Sequence, residues 1–171
     1  MKISVKLGDV KEAITVLQKY RDSLPEKNKT FLTRLAELGM DTASVSFSHA
    51  QYDGTNDVAV SIRWEDDGKI LVVARGRAVT FIEFGTGVVY ADDHPKAAEM
   101  GAVRGGYGEG HGAQHTWGYY GDPGTNGVSV AKEWQDDLVL THGNPASRSM
   151  YEAGKAMRER IMEIAKEVYG T

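Results

Sequence analysis

The chain has 171 residues and a mass of 18.7 kDa, one domain's worth, enough to bury about 70% of the surface its unfolded form would expose. It has no cysteine, which excludes disulfides, thiolate metal sites and cysteine nucleophiles. The formal net charge of −4 and a pI near 5.7 argue against a protein held on nucleic acid through phosphate contacts.

The N-terminal segment lacks the apolar run of a signal peptide, and nowhere is there a stretch long and uncharged enough for a membrane span, so a soluble protein made in the cytoplasm is expected. KISVKL (Lys2 to Leu7) alternates as a short strand does, and Asp9 stands where a helix N-cap belongs. Val10, Ile14, Leu17 and Leu24 then recur at helical spacing and predict a first helix with that stripe turned inward. Ser23 to Glu26 has the form of a capping box, which starts a second helix with Phe31, Leu35 and Leu38 inward, and Gly39 is its natural stop.

From Ser44 the period changes to two. Val45 and Phe47 alternate with serines, and after Asp53-Gly54 the residues Val58, Val60, Ile62 and Trp64 alternate with Ala59, Ser61 and Arg63. Asp67-Gly68 turns the chain into KILVVAR, whose dense apolar run predicts a central strand covered on both faces. Ala78, Phe81 and Ile82 predict one or two helical turns ending at Gly85 in a left-handed conformation, with Glu83 pointing outward. Met150, Ala153, Met157, Ile161, Ile164 and Val168 form the buried stripe of a long C-terminal helix over Pro145 to Tyr169.

These elements describe a single α+β domain: an antiparallel sheet of about four strands, packed by N-terminal helices and a long C-terminal helix, with a long glycine-rich loop. Helices and sheet occupy 1–90, the loop 91–127, and a strand with the final helix 128–171. Half of the chain's 20 glycines lie between Gly101 and Gly127, interleaved with Tyr107, Trp117, Tyr119 and Tyr120. Such a segment is costly to order, and its aromatics suit docking on a partner better than spacing, although a mobile loop without a role is the plain alternative.

Two chemical readings bear on this region. His94, His111 and His115 with Asp93 are the candidate ligands of a zinc hydrolase, but the glycines around His111 and His115 oppose the helix that would converge two imidazoles four residues apart, so solvated loop histidines are the expectation. The phrase FIEFGTG could form a phosphate nest, yet the lysine and hydroxyl of a P-loop are replaced after Gly87 by Val88 and Val89, so the glycines are read as turning the chain. No catalytic residue, metal or cofactor is assigned.

Four phrases in one order, FIEFGTG, HPKAAEMG (His94 to Gly101), WGYYGD (Trp117 to Asp122) and THGNPASRSMYEAG (Thr141 to Gly154), closely resemble siphophage head–tail joining, tail-completion or minor tail proteins. The resemblance spans the second half of the chain, and the helix-then-strands order before it also fits. Where those proteins continue into arginine-proline-phenylalanine-methionine-tyrosine, this chain has Ser147-Arg148-Ser149 before Met150-Tyr151. The resemblance implies a virion protein that self-associates in a ring between portal or connector and tail tube, with DNA passing through the bore without specific binding and no membrane contact. An acidic wall suits a channel along which DNA slides. Glu83, Phe84, Gly85, Thr86 and Gly87, with Tyr107, Trp117, Tyr119 and Tyr120, are the candidate subunit-interface residues. A minor capsid or other tail component is the alternative within the same assembly.

Overall fold

The first helix is a single rod where two were expected. In a computed structural model, which describes residues 7–90, 93–103, 114–124, 127–129 and 137–170, α1 runs from Leu7–Ser48 for 42 residues, through Pro25 and past Gly39. The KISVKL strand lies outside the described residues up to Lys6, and Leu7 already belongs to the helix. Ser23 caps nothing; its hydroxyl donates to the Tyr20 carbonyl within the rod. Gly39 admits α3 (Ser149–Tyr169) in place of ending α1, because a Cβ there would lie 2.7 Å from the Met157 sulfur.

The period-two pattern after Ser44 also belongs to this helix. Ala43 and Phe47, four apart, are almost fully buried, whereas Val45 is 58% exposed, a distribution that only a helical period produces. Serine hydroxyls fit inside the rod because they can bond to a backbone carbonyl three or four residues back, as Ser48 does to Val45.

The expected hairpin is present. β1 (Ala59–Trp64) and β2 (Ile70–Arg75) pair antiparallel from Ala59 opposite Arg75 to Trp64 opposite Ile70, across the Asp67-Gly68 turn. Among the described residues they form a two-stranded sheet, so KILVVAR is half-buried and not the centre of a larger sheet. Apolar residues of the hairpin and the segment leading into it instead meet helices: Val58, Val60 and Ala74 pack on a core of Ala43, Phe47, Ala78, Ile82 and Ala153.

Short helix α2 (Val79–Phe84) follows, its start held by the Asp57 carboxylate, which accepts the Arg77 and Ala78 N–H groups at 2.8 and 2.9 Å. A second, separate sheet has the order β3 (Trp117–Tyr120), β5 (Leu138–Thr141), β4 (Val128–Ser129), all antiparallel. Part of the expected loop is therefore strand. α3 starts at Ser149, later than Pro145, because residues 142–148 run irregularly across α2, with Arg148 left-handed at φ 58°. A second cluster of Leu35, Ile164 and Val168, flanked by Phe31, Leu38, Met157 and Tyr169, joins α1 to α3; Ile161, expected in the buried stripe, is 41% exposed. Among the described residues no helix is long and apolar enough to cross a membrane.

Candidate functional site

The four phrases that carry the sequence resemblance meet at one place, built on Glu83. α2 delivers this side chain inward, where it is 5% exposed, which corrects its expected outward orientation. Its carboxylate accepts the backbone N–H groups of Met150 at 2.8 Å and Tyr151 at 3.0 Å, in the first turn of α3. Those donors have no partner within their own helix, and a negative group there also suits the helix dipole. The capping group thus comes from 67 residues upstream rather than from Arg148, the residue at the N-cap.

His94 completes the arrangement. Its Nδ1 accepts the Lys96 N–H at 3.0 Å, so the ring proton sits on Nε2 and donates to Glu83 at 3.1 Å. The contact is therefore a hydrogen bond from a neutral imidazole, in which both ring nitrogens are used within the fold. The ring lies against Phe84, with centroids 4.4 Å apart, and edge-on to Tyr151 at 5.6 Å. His94 is 5% exposed, which corrects the solvated loop histidine that was expected.

The glycines of FIEFGTG turn the chain around this centre. Gly85 takes φ 77° and ψ 177°, a conformation essentially confined to glycine and different from the left-handed cap that was expected; a Cβ there would lie 2.7 Å from the Asn144 carbonyl. At Gly87, φ 80°, a Cβ would be 2.8 Å from both the His142 carbonyl and the Trp117 ring. Between them Thr86 donates its N–H to the Asn144 carbonyl and accepts the Asn144 N–H at its hydroxyl, at 2.8 and 2.9 Å. Ser147 and Arg148 donate N–H to the Ile82 and Glu83 carbonyls. The Thr86 N–H and hydroxyl are thus spent on the chain itself.

Of the candidate interface residues, Glu83 and Gly85 are buried, and Phe84, Thr86 and Gly87 are half-buried at this junction. Trp117 roofs it from β3. The Tyr119 hydroxyl donates to the Asp122 carbonyl at 2.8 Å; burial, then the nearby Asp53 and Asp122 carboxylates, push it up to about 12, so it stays protonated at neutral pH. Tyr120 points out, 68% exposed. Tyr107 lies outside the described residues, as does His111 of the zinc set. Among the described residues no three His, Cys, Asp or Glu side chains are placed to hold a metal ion. Beside Tyr119 and Tyr120, with Tyr52, Asp57, Arg77 and Phe81, is an open cleft of about 290 Å³.

Two exposed apolar surfaces were not singled out from the sequence. The first half of α1 stands clear of the body: of the stripe expected to face inward, Val10, Ile14 and Leu17 are 41–66% exposed and Leu24 is half-buried, and Val16 and Tyr20 beside it are exposed too. The signal was the lengths, since a rod of 42 residues outruns the 21 of α3 and the hairpin that pack against its second half. On the outer side of the second sheet, Tyr120, Val128 and Leu140 are also exposed.

Compared with known proteins, the chain matches no family model, no curated protein and no solved structure.

Proposed function

We propose that this chain is a structural protein of a tailed phage, a head–tail joining or tail-completion component that assembles as a ring between the portal or connector and the tail tube. The observation that carries the reading is the bare apolar stripe on the first half of α1, a surface made for protein contact and left without a partner within the described chain. The convergence of all four resembling phrases on one junction supports it, because they then act as one structural unit rather than as isolated similarities. Net acidity supports it too, since DNA passing through the bore would be repelled and not gripped. On this reading the role needs no catalysis, cofactor or membrane, and the protein resides in the virion.

Heads and tails purified separately from the phage or prophage encoding the chain provide the test. Mass spectrometry is expected to find it in stoichiometric amounts at the head-tail joint of complete particles, and its absence from particles would remove the reading.

A further inference from the structure

We propose that the cleft between Tyr52, Phe81 and Tyr120 is a binding site for an arginine side chain presented by a partner protein. The inference goes beyond the ring reading and does not depend on it.

Three stretches far apart in sequence form the walls: residues 52–57 after α1, Arg77 to Phe81 at the start of α2, and Tyr119 to Asp122 at the end of β3. Close backbone approach fixes them. Gly76, at φ 146°, lets the chain pass the Asp57 carbonyl, 2.6 Å from where a Cβ would stand, and the Asp57 carboxylate ties the same point by accepting the Arg77 and Ala78 N–H groups. Gly124, at φ 58°, has no room for a Cβ beside the Tyr52 carbonyl, and its N–H is held by Asp122 Oδ1 at 2.8 Å. The cleft is therefore built before a guest arrives, which spares part of the ordering cost of binding. Its volume of about 290 Å³ falls just under the roughly 300–1,000 Å³ of sites that take whole small-molecule ligands, so it suits one long side chain.

Charge and the rings decide what enters. Asp57 and Asp122 stand in the wall, and Asp53, 3% exposed, acts on the cleft from the interior. Their field shows in two phenols: Tyr52 is pushed up by burial, then by Asp57 and Asp53 with Arg77 opposing, and Tyr119 by burial, then by Asp53 and Asp122. Surroundings whose negative charge keeps a phenol protonated favour a guest cation for the same reason. Arg77 offsets one of these three carboxylates, its Nε 3.7 Å from Asp57, and with a side chain 97% exposed it stands at the rim and leaves the cleft open.

Tyr52, Phe81 and Tyr119 are half-buried in the walls, and Tyr120 is 68% exposed. A planar, weakly hydrated guanidinium stacks on such rings and has five N–H donors to share among separated acceptors, whereas a lysine ammonium holds its water more strongly and gains less. Acceptors are in place. The Tyr119 hydroxyl spends its proton on the Asp122 carbonyl and so meets a guest as an acceptor, and the Asp122 carboxylate, with one oxygen on Gly124, has lone pairs for a second donor.

Solution NMR of the full chain with N-acetyl-arginine amide as the probe tests the assignment. The probe is expected to shift the Tyr52, Tyr119 and Tyr120 resonances saturably, less tightly as salt is added, and N-acetyl-citrulline amide, of equal length without the charge, is expected to give no saturable shift. Asp122→Asn, whose amide oxygen can still hold Gly124, and Tyr120→Ala, at an exposed position, are each expected to weaken binding about three- to fivefold while the amide spectrum elsewhere stays that of the parent. No saturable shift at these tyrosines, shifts of equal size from the citrulline probe, or unchanged affinity in either variant overturns the proposal. Binding of N-acetyl-lysine amide as tight as that of the arginine probe also overturns it, because the site would then read charge alone.

Discussion

Glu83 is the residue on which the second half of the chain is organised, since one carboxylate accepts two backbone N–H groups of α3 and the Nε2–H of His94. Removing it leaves three donors without their acceptor, two at a helix start and one in a side chain that is 5% exposed. Glu83→Ala is therefore expected to lower unfolding free energy by about 2–4 kcal/mol in urea titrations. Glu83→Gln should lose less, because its amide oxygen can still accept from the N–H groups at the start of α3. A loss for Glu83→Gln equal to that of Glu83→Ala would show that the helix start is not what Glu83 secures. Asp57 acts similarly on α2: the Arg77 and Ala78 N–H groups, then the Arg77 side chain, hold its carboxyl below the usual value. A depressed group contributes stability that is present above its unfolded value, near pH 4, and is lost as pH falls through the lower folded value. The acid side of the stability curve is expected to be shallower in Asp57→Asn than in the parent; identical curves would contradict this role. Neither carboxylate was legible as a cap, because local capping signals look three residues ahead, and these two reach 20 and 67 residues along the chain.

At the scale of elements, the hairpin, the short helix closed by Gly85 and the amphipathic C-terminal helix were legible, since each rests on local chemistry: Asp-Gly turns, alternation, glycine and helical stripes. α1 was not. Its Ser23-Leu24-Pro25-Glu26 segment reads as a stop and restart, yet α3 packs along Phe31, Leu35 and Leu38 and the rod continues through the proline. Period-two serines after Ala43 imitated a strand for the same reason, that packing against the hairpin decides and local pattern does not. Unequal support along α1 has a measurable consequence. Hydrogen exchange is expected to be fast for amides 10–22, where every residue is exposed, and slow for 35–47, where Leu35, Ala36, Ala43 and Phe47 are buried. Uniform protection along the rod in dilute solution would show that the first half of α1 is already covered. The outer sheet face was hidden from sequence analysis because LVLT alternates apolar residues on both sides, so it names no solvent side.

For the whole molecule, two kinds of residue separate. The phrases FIEFGTG, HPKAAEMG and THGNPASRSMYEAG build the interior junction of Glu83, His94, Thr86 and Asn144, whereas exposed apolar side chains lie on the first half of α1 and at Tyr120, Val128 and Leu140. Locating the exposed apolar face of α1 required knowing how far α3 reaches along it. Its role is tested most directly by electron microscopy of lysates from the encoding phage after the gene is deleted. The account predicts DNA-filled heads and finished tails lying apart, rejoined when the purified chain is added; intact joined particles in its absence would contradict it.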